Sequence, residues 1–423
     1  MRIIKGIISA VIMLAILAAL SLFVMLRGSL PSLDGSLESQ YLEDNASLSR
    51  DSLGTAVVNA SSEYDAAYLL GYAHAQDRLF QMDLLRRQSA GELAELVGKV
   101  ALNVDKKHRV HQFRSRAEKV FAGLSEHEQR LLNSYTHGVN EAAQSMSVKP
   151  FEYFLVSASF VPWQATDSLL ASYSMYVDLQ LAQTEIDFRL TALKEIFGAS
   201  MFEFFTLPSN YQAVMDYSII EDLNLEIPTL PKSPSIAASA RISKGQRALA
   251  NYDDVQEQPD LGSNNWAVSG ELTQSKSAML SNDMHLGLNV PAIWYRAQLN
   301  YSSEGNAVSV TGVTLPGSPA VIVGSNGYIA WGFTNSNVDN VDWIALSDDT
   351  RIDMIEETIN TPEGPETFSF ESSEFGPIRE FNGNKYALKW VAHQDYAVNL
   401  RIADMAKMRN LEEALATARQ VRI

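Results

Sequence analysis

The pattern of hydrophobic and polar residues divides the chain into two parts of different character. Across residues 63–203, apolar side chains recur at helical spacing, for example at Leu79 and Met82, and predict a series of amphipathic helices. After Gly262, short runs rich in Val, Ile, Trp and Tyr alternate with turns and predict strands, and Asn-Gly at 326–327 predicts a hairpin. The sequence therefore predicts a helical half followed by a sheet half. Further helical stretches are expected at 109–121, 126–144 and 167–197.

The N-terminus departs from both patterns. Residues 7–26 carry no charge, and at about 1.5 Å per residue such a run spans roughly the 30 Å core of a membrane. Arg2 and Lys5 precede it, and no small-x-small cleavage site follows it. These features favour an uncleaved signal anchor over a cleaved signal peptide or a buried core helix. The sequence predicts a periplasmic protein anchored in the membrane through residues 7–26.

A linker separates the two halves. Prolines punctuate residues 227–262, which show no sustained periodicity. The predicted organisation is therefore an anchor, a mostly helical part, a linker and a sheet part. Their bounds are 1–27, 28–226, 227–262 and 263–423.

Composition removes several function classes. The chain has 423 residues, no cysteine and a formal net charge of −17. Disulfides, a cysteine nucleophile and cysteine-ligated metals are therefore excluded. The acidic excess argues against a non-specific nucleic-acid binder, which needs a basic surface.

Three histidines of the helical half are candidates for chemistry. His108 and His111 are spaced to bind a metal together on a helix, but they lie among Lys and Arg residues that repel a cation. A solvated charged face is therefore predicted for this pair. His74 is predicted to be a packed histidine rather than a catalytic one.

Gly262-Ser263 at the start of the sheet half permits a different kind of chemistry. If the peptide bond before Ser263 is cut, the serine hydroxyl and a free α-amine lie in the same residue. An α-amine has a pKa of about 7.7–8.0, so it can act as the general base for its own hydroxyl. On residue types alone, an ordinary turn is the alternative.

Several separated motifs resemble the penicillin acylase (penicillin amidase) family of N-terminal nucleophile (Ntn) hydrolases. GSNNWAVSG at 262–270 resembles the start of the family's β-chain, and NDMHLGL at 282–288 follows at the family's distance. LGYAHAQDRLFQM at 70–82 and GELAELVG at 91–98 resemble its α-chain. The resemblance extends from about residue 50 to residue 423. It implies an α+β fold, with the four-layer αββα core of these hydrolases and a mostly helical α-chain part.

The resemblance also implies roles for single residues. Ser263 matches the nucleophile, and its α-amine matches the base, acting through a bridging water. His285 matches a histidine that lies near the nucleophile in some relatives, with a structural histidine as the alternative. Asn335 matches the residue whose backbone N–H stabilises the oxyanion.

A calcium site is implied in the same way. Asp339, the Val341 carbonyl and Asp342 match the family's calcium segment, and Glu185 matches the α-chain residue that reaches the same ion. Such oxygen ligands suit one structural Ca²⁺. A solvated acidic turn is the alternative.

The function implied is hydrolysis of a linear amide, with an acylated small-molecule amine as substrate. It follows autocatalytic cleavage at Gly262-Ser263, which converts the precursor into an α/β heterodimer. An acyl-homoserine-lactone acylase is the alternative within this class. The family's β-chain is longer than residues 263–423, and its later part carries an oxyanion Asn and an Arg. The chain is therefore predicted to be the N-terminal portion of a precursor. By itself this portion is expected neither to process nor to turn over substrate efficiently. A non-catalytic, membrane-tethered binding module is the alternative of another class.

Overall fold

The computed structural model describes residues 2–206, 228–229, 262–335 and 338–422. The predicted linker 227–262 lies outside these residues, apart from Pro228, Thr229 and Gly262. The described helices are α1 (Arg2–Gly28), α2 (Glu63–Ala90), α3 (Ala94–Val97), α4 (Leu102–Arg109), α5 (Phe113–Gly123), α6 (Glu126–Ser145), α7 (Phe151–Leu155), α8 (Ala165–Phe197), α9 (Ala199–Thr206) and α10 (Leu411–Ala418).

The described strands belong to three sheets. They are β1 (Ser47–Arg50), β2 (Ala56–Asn59), β3 (Gly262–Val268), β4 (Met279–His285), β5 (Tyr295–Ser303), β6 (Asn306–Thr314), β7 (Val321–Ser325), β8 (Ala330–Trp331), β9 (Val341–Ala345), β10 (Asp353–Ile359), β11 (Glu366–Ser373), β12 (Gly376–Phe381) and β13 (Asn384–Trp390). The mixture of packed helices and sheets confirms the α+β prediction, and the four-layer stack stays a prediction.

Helix α1 contains the predicted anchor. It is exposed along its length, and it is long and apolar enough to cross a membrane. By length and composition a signal sequence passes the same test. The predicted apolar helix is thus present, consistent with export.

Helices α2, α6 and α8 form the centre of the helical half. Ser62 caps the start of helix α2, and its side chain accepts a hydrogen bond from the Asp65 N–H. Gly91 caps the end of the helix in a left-handed conformation. Helix α2 lies so close to α6 that a Cβ on Gly138 would be 1.9 Å from the Tyr68 carbonyl oxygen. Glycine is therefore required there by the helix–helix contact itself.

The six-stranded sheet joins the two predicted parts of the chain. Its strand order is β1-β2-β5-β6-β7-β8, and β2 pairs with β5 in parallel, with Ala56 opposite Ala297. Strands β1 and β2 precede the predicted cleavage point and the other four follow it. Helix α2 packs on β2 and β5, and the buried core is continuous across both parts. A cut at Gly262-Ser263 would therefore leave the two fragments paired through one sheet.

The other two sheets lie after the linker. Strands β10-β11-β12-β13-β9 form a five-stranded antiparallel sheet, and β3 and β4 form an antiparallel hairpin. The predicted turn at Asn326-Gly327 is confirmed, since it connects β7 to β8 with Gly327 at φ +84°.

The histidines divide into one confirmed prediction and one correction. His74 is fully buried and hydrogen-bonded to the Tyr135 hydroxyl (2.7 Å) and the Thr314 hydroxyl (2.8 Å), which confirms a packed histidine. The solvated face predicted for His108 and His111 is wrong, because both are buried. Helix α4 ends at Arg109, so the chain turns and carries the His111 ring into the core.

Candidate active site

The β3–β4 hairpin brings Ser263 and His285 close together. Ser263 is the second residue of β3, and His285 is the last residue of β4, directly opposite Gly262. The His285 Nδ1 atom would be only 3.2 Å from a Cβ on Gly262, so glycine leaves room for the imidazole. The register thus places the histidine beside the peptide bond predicted to be cut.

The Ser263 hydroxyl already faces that peptide bond. Its Oγ donates a hydrogen bond to the Gly262 carbonyl oxygen at 2.5 Å, and the residue is half-buried. The Ser263 nitrogen is part of the peptide bond to Gly262 and is therefore an amide. The geometry is that of the intact chain.

An exposed carboxylate lies beside His285. Its Nε2 atom is 3.1 Å from the Asp283 Oδ2 atom, and the two side chains are 41% and 73% exposed. A pair this exposed is worth little as an ion pair, about 0–1 kcal/mol. Asp283 can nevertheless orient the imidazole so that Nδ1 faces Gly262.

Asn282, which had no role in the sequence analysis, connects this hairpin to the chain segment of Asn335. Its side-chain amide donates to the Phe333 carbonyl (2.9 Å), and its Oδ1 accepts from the Phe333 N–H (3.3 Å). Asn335 is half-buried and lies two residues further along, immediately before the undescribed residues 336–337. The predicted oxyanion residue is therefore on a segment fixed to the strand opposite Ser263.

The predicted calcium ligand Glu185 is bound to another residue of the chain. The Glu185 carboxylate forms a two-pronged ion pair with Arg379, whose Nη1 atom donates at 2.9 Å. Burial alone would raise the pKa of Glu185, but the hydrogen bonds from Arg379 lower it. Arg379 also lies 5.2 Å from the ring centre of Trp343 and thus links α8 to β9.

A second acidic residue of α8, Asp187, is close enough to Asp339 and Asp342 for their charges to act on it. Burial raises the pKa of Asp187, and the negative charges of Asp339 and Asp342 raise it further. Val341 is buried at the start of β9, and Asp342 pairs in register with Lys389. Among the described residues, no group of three or more His, Asp or Glu is arranged to hold a metal ion. Glu185 is bound to Arg379 in this conformation, and calcium stays a prediction.

Comparison with known proteins agrees with the resemblance. The family model described as penicillin amidase matches residues 45–423. Acyl-homoserine lactone acylase QuiP of Pseudomonas aeruginosa is 30% identical over 319 residues, which are 74% of this chain and 36% of that protein. Penicillin acylase 2 proenzyme of Pseudomonas sp. (strain SE83) is 28% identical over 74% of this chain and 39% of its own length.

Two further matches carry the penicillin G acylase name. Penicillin G acylase of Escherichia coli is 26% identical over 76% of this chain and 42% of its own length. A solved chain of the thermostable enzyme from Alcaligenes faecalis is 27% identical, with a TM-score of 0.33, over 45% of this chain and 98% of that one. The chain spans less than half the length of the curated relatives described here. Since the family model covers nearly all of the chain after α1, the protein belongs to the penicillin amidase family.

Proposed function

We propose that the protein hydrolyses linear amides and releases an acyl group from an amine, after its own chain is cut between Gly262 and Ser263. The observation that carries the proposal is the β3–β4 register, with His285 opposite Gly262 and the Ser263 hydroxyl on the Gly262 carbonyl. Family membership supports the same chemistry.

The cut begins with attack of Ser263 Oγ on the Gly262 carbonyl carbon. The C–N bond breaks, the serine nitrogen takes up a proton, and an ester links Gly262 to the serine oxygen. Water then hydrolyses the ester, which leaves a carboxylate on Gly262 and a free α-amine on Ser263. An N-terminal amine with a pKa of about 7.7–8.0 is poised to act as a base near neutral pH.

Turnover uses the same hydroxyl. The α-amine removes the Oγ proton through a water, Oγ attacks the substrate carbonyl, and the Asn335 N–H donates to the oxyanion. Collapse of the tetrahedral intermediate expels the amine, which takes up the proton, and water hydrolyses the acyl-serine. His285 helps to hold the new N-terminus in place.

Mass spectrometry of the full-length protein tests the cleavage. Wild-type protein should show a new N-terminus at Ser263, and Ser263→Ala should remain uncut. Ser277→Ala, which changes an exposed serine of the same hairpin, is the matched control and should be cut normally. Uncut wild-type protein that transfers no acyl group would contradict the proposal and favour a non-catalytic binding role.

The candidate substrates are β-lactam side-chain amides, N-acyl-homoserine lactones or another acylated amine. For each of the first two, a relative named for that activity matches this chain. Hydrolysis rates on phenylacetyl amides and on homoserine lactones of several acyl lengths distinguish these two. The larger kcat/KM identifies the substrate class.

Export through α1, anchoring of the protein in the membrane on the periplasmic side and an α/β heterodimer complete the proposal. The heterodimer draws support from the pairing of β2 with β5 across the cut. Fractionation and co-purification of the two fragments test these points. Soluble cytoplasmic protein, or fragments that separate without denaturant, would contradict them.

One structural calcium ion is proposed with the ligand set Glu185, Asp339, Val341 and Asp342, and its binding requires Glu185 to leave Arg379. Thermal unfolding with calcium and with a chelator, in wild type, Glu185→Gln and Asp339→Asn, measures this. Equal unfolding temperatures in wild-type protein with and without calcium would remove the ion from the proposal.

A further inference from the structure

The side chain of Asn282 makes the pair of hydrogen bonds that the backbone of a neighbouring β-strand would make. Strand β8 ends at Trp331, and two residues later the backbone of Phe333 meets the Asn282 carboxamide. This carboxamide both donates to the Phe333 carbonyl and accepts from the Phe333 N–H, as a neighbouring strand would. Pairing with the edge of the six-stranded sheet is thus continued past β8 by one side chain.

The same carboxamide also binds the nucleophile strand. Its Nδ2 atom donates to the carbonyl of Asn264, the residue after Ser263, at 3.2 Å. One half-buried side chain therefore connects the residue next to Ser263 with the segment that leads to Asn335. The three hydrogen bonds use both hydrogens of the amide group and its oxygen.

Gly332 makes room for this arrangement. A Cβ at that position would lie 2.8 Å from the Asn282 Oδ1 atom and 2.9 Å from its Cγ atom. No other residue type fits there unless the carboxamide moves. Gly332 and Asn282 are thus complementary, one by lacking a side chain and the other by the shape of its own.

We propose that Asn282 is a positioning residue that sets the distance between the Ser263 nucleophile and the Asn335 N–H. This inference rests on the proposed amide hydrolysis. A backbone donor stabilises an oxyanion only when it is fixed in place before reaction, and a displacement of about 1 Å costs on the order of 10²-fold in rate. Asn282 does not touch the reacting atoms, so its effect is on kcat rather than on substrate binding.

The charge and size of the residue matter separately. Aspartate in place of Asn282 has the same shape but cannot donate, and its negative charge would face the carbonyl oxygens of Asn264 and Phe333. Alanine at the same position removes all three hydrogen bonds. Both variants should therefore release the 333–335 segment from β3.

Steady-state kinetics of the processed, full-length protein test the proposal. Asn282→Asp and Asn282→Ala should lower kcat by about 10²-fold, with KM within about twofold of wild type. Asn306→Ala, at the exposed first residue of β6, is the matched control and should change neither constant. Gly332→Ala displaces Asn282 without altering it and should reproduce the loss of kcat. This variant decides the case if the Asn282 variants do not fold.

Hydrogen–deuterium exchange provides a readout independent of turnover. In the uncut Ser263→Ala protein, Asn282→Ala removes the oxygen that accepts from the Phe333 N–H, so it should speed exchange of residues 330–335 by about tenfold and leave β5 and β6 unchanged. Hydrolysis with unchanged kcat in both Asn282 variants, or unchanged exchange, would overturn the positioning role alone. Absence of hydrolysis in wild-type protein would overturn the proposed function together with this role.

Discussion

The packed helical half and the β3–β4 hairpin differ in how their polar groups are paired and how far their apolar side chains are buried. In the helical half, the carboxylate of Asp83 is fully buried and paired with the buried Arg86 and Arg87, whereas on the hairpin Trp266 is 54% exposed, and Leu288, just after the hairpin, is fully exposed. The helical half therefore derives its stability from a buried core that it shares with the sheet half, while the hairpin owes its geometry to a few hydrogen bonds. Substitutions should then cost stability in the first region and catalysis in the second.

Substitution of Asp83 should cause the largest loss of stability in the packed helical half. Its carboxylate is fully buried and accepts hydrogen bonds from Arg86 (2.8 Å), Arg87 (2.9 Å) and the Tyr153 hydroxyl (2.9 Å). Asp83→Asn removes the carboxylate that two buried guanidinium groups share and leaves each with one acidic partner, Asp167 for Arg86 and Glu95 for Arg87. The loss should cost about 3 kcal/mol of unfolding free energy. Urea unfolding measures this loss.

The matched control for Asp83 is an exposed aspartate on the same half. Asp44→Asn should change the unfolding free energy by less than about 0.5 kcal/mol. A loss below about 1 kcal/mol in Asp83→Asn would show that the buried charges are not what holds α2 in place.

Substitution of Gly138 should disrupt the contact between α2 and α6. A methyl group there would meet the Tyr68 carbonyl at 1.9 Å, so Gly138→Ala must push the two helices apart. We expect a loss of about 1–3 kcal/mol in urea unfolding. Gly123→Ala is the control, since nothing lies within 4 Å of its Cβ position, and it should not destabilise the protein. Equal effects at the two glycines would contradict the close packing.

Mild acid should weaken the core that the two halves share, through His393 of the sheet half, which contacts His111 of the helical half. Burial, reinforced by the nearby Arg116 guanidinium, lowers the pKa of the His393 ring to about 3, and the ring is 3.0 Å from His111. The unfolded histidine has a pKa of about 6.5, so it takes up a proton that the folded ring refuses. The stability contributed by the neutral ring is complete above pH 6.5 and is lost as the pH falls towards 3.

Unfolding at two pH values measures the contribution of His393. At pH 5 the loss at this residue should be about 2 kcal/mol relative to pH 7. His393→Asn should reduce the pH 7 to pH 5 difference by that amount. His127→Asn, which alters a side chain that is 37% exposed, should leave most of the difference in place. An unchanged difference in His393→Asn would exclude this histidine as the source.

Local sequence signals predicted the helices better than the strands. The expected helices 126–144 and 167–197 lie within α6 and α8, where apolar periodicity is sustained and Ser125 provides an N-terminal cap. Strands β10–β13 were not predicted. Several of them alternate exposed, charged residues with half-buried ones, as in DMIEETI of β10, and therefore lack the apolar runs that indicate strands.

The candidate site also combines features that the sequence predicted with contacts that it could not predict. Ser263 and His285 were found through motifs, and the structure adds the register that brings them close. The binding of Asn282 to Phe333 and of Glu185 to Arg379 could not be predicted, because each joins residues far apart in sequence. Nothing in either local segment indicates its partner.

The smallest expected effect on stability distinguishes the two regions most clearly. Gly332→Ala creates a clash like that of Gly138→Ala, but its neighbour is the end of the half-buried Asn282 side chain rather than backbone. The side chain can rotate away and lose hydrogen bonds worth about 0.5–1.5 kcal/mol each, which water in this open site partly replaces. We expect less than about 1 kcal/mol in urea unfolding. A loss as large as that of Gly138→Ala would mean that the hairpin belongs to the cooperative core, and the contrast between a stable scaffold and a lightly held site would fail.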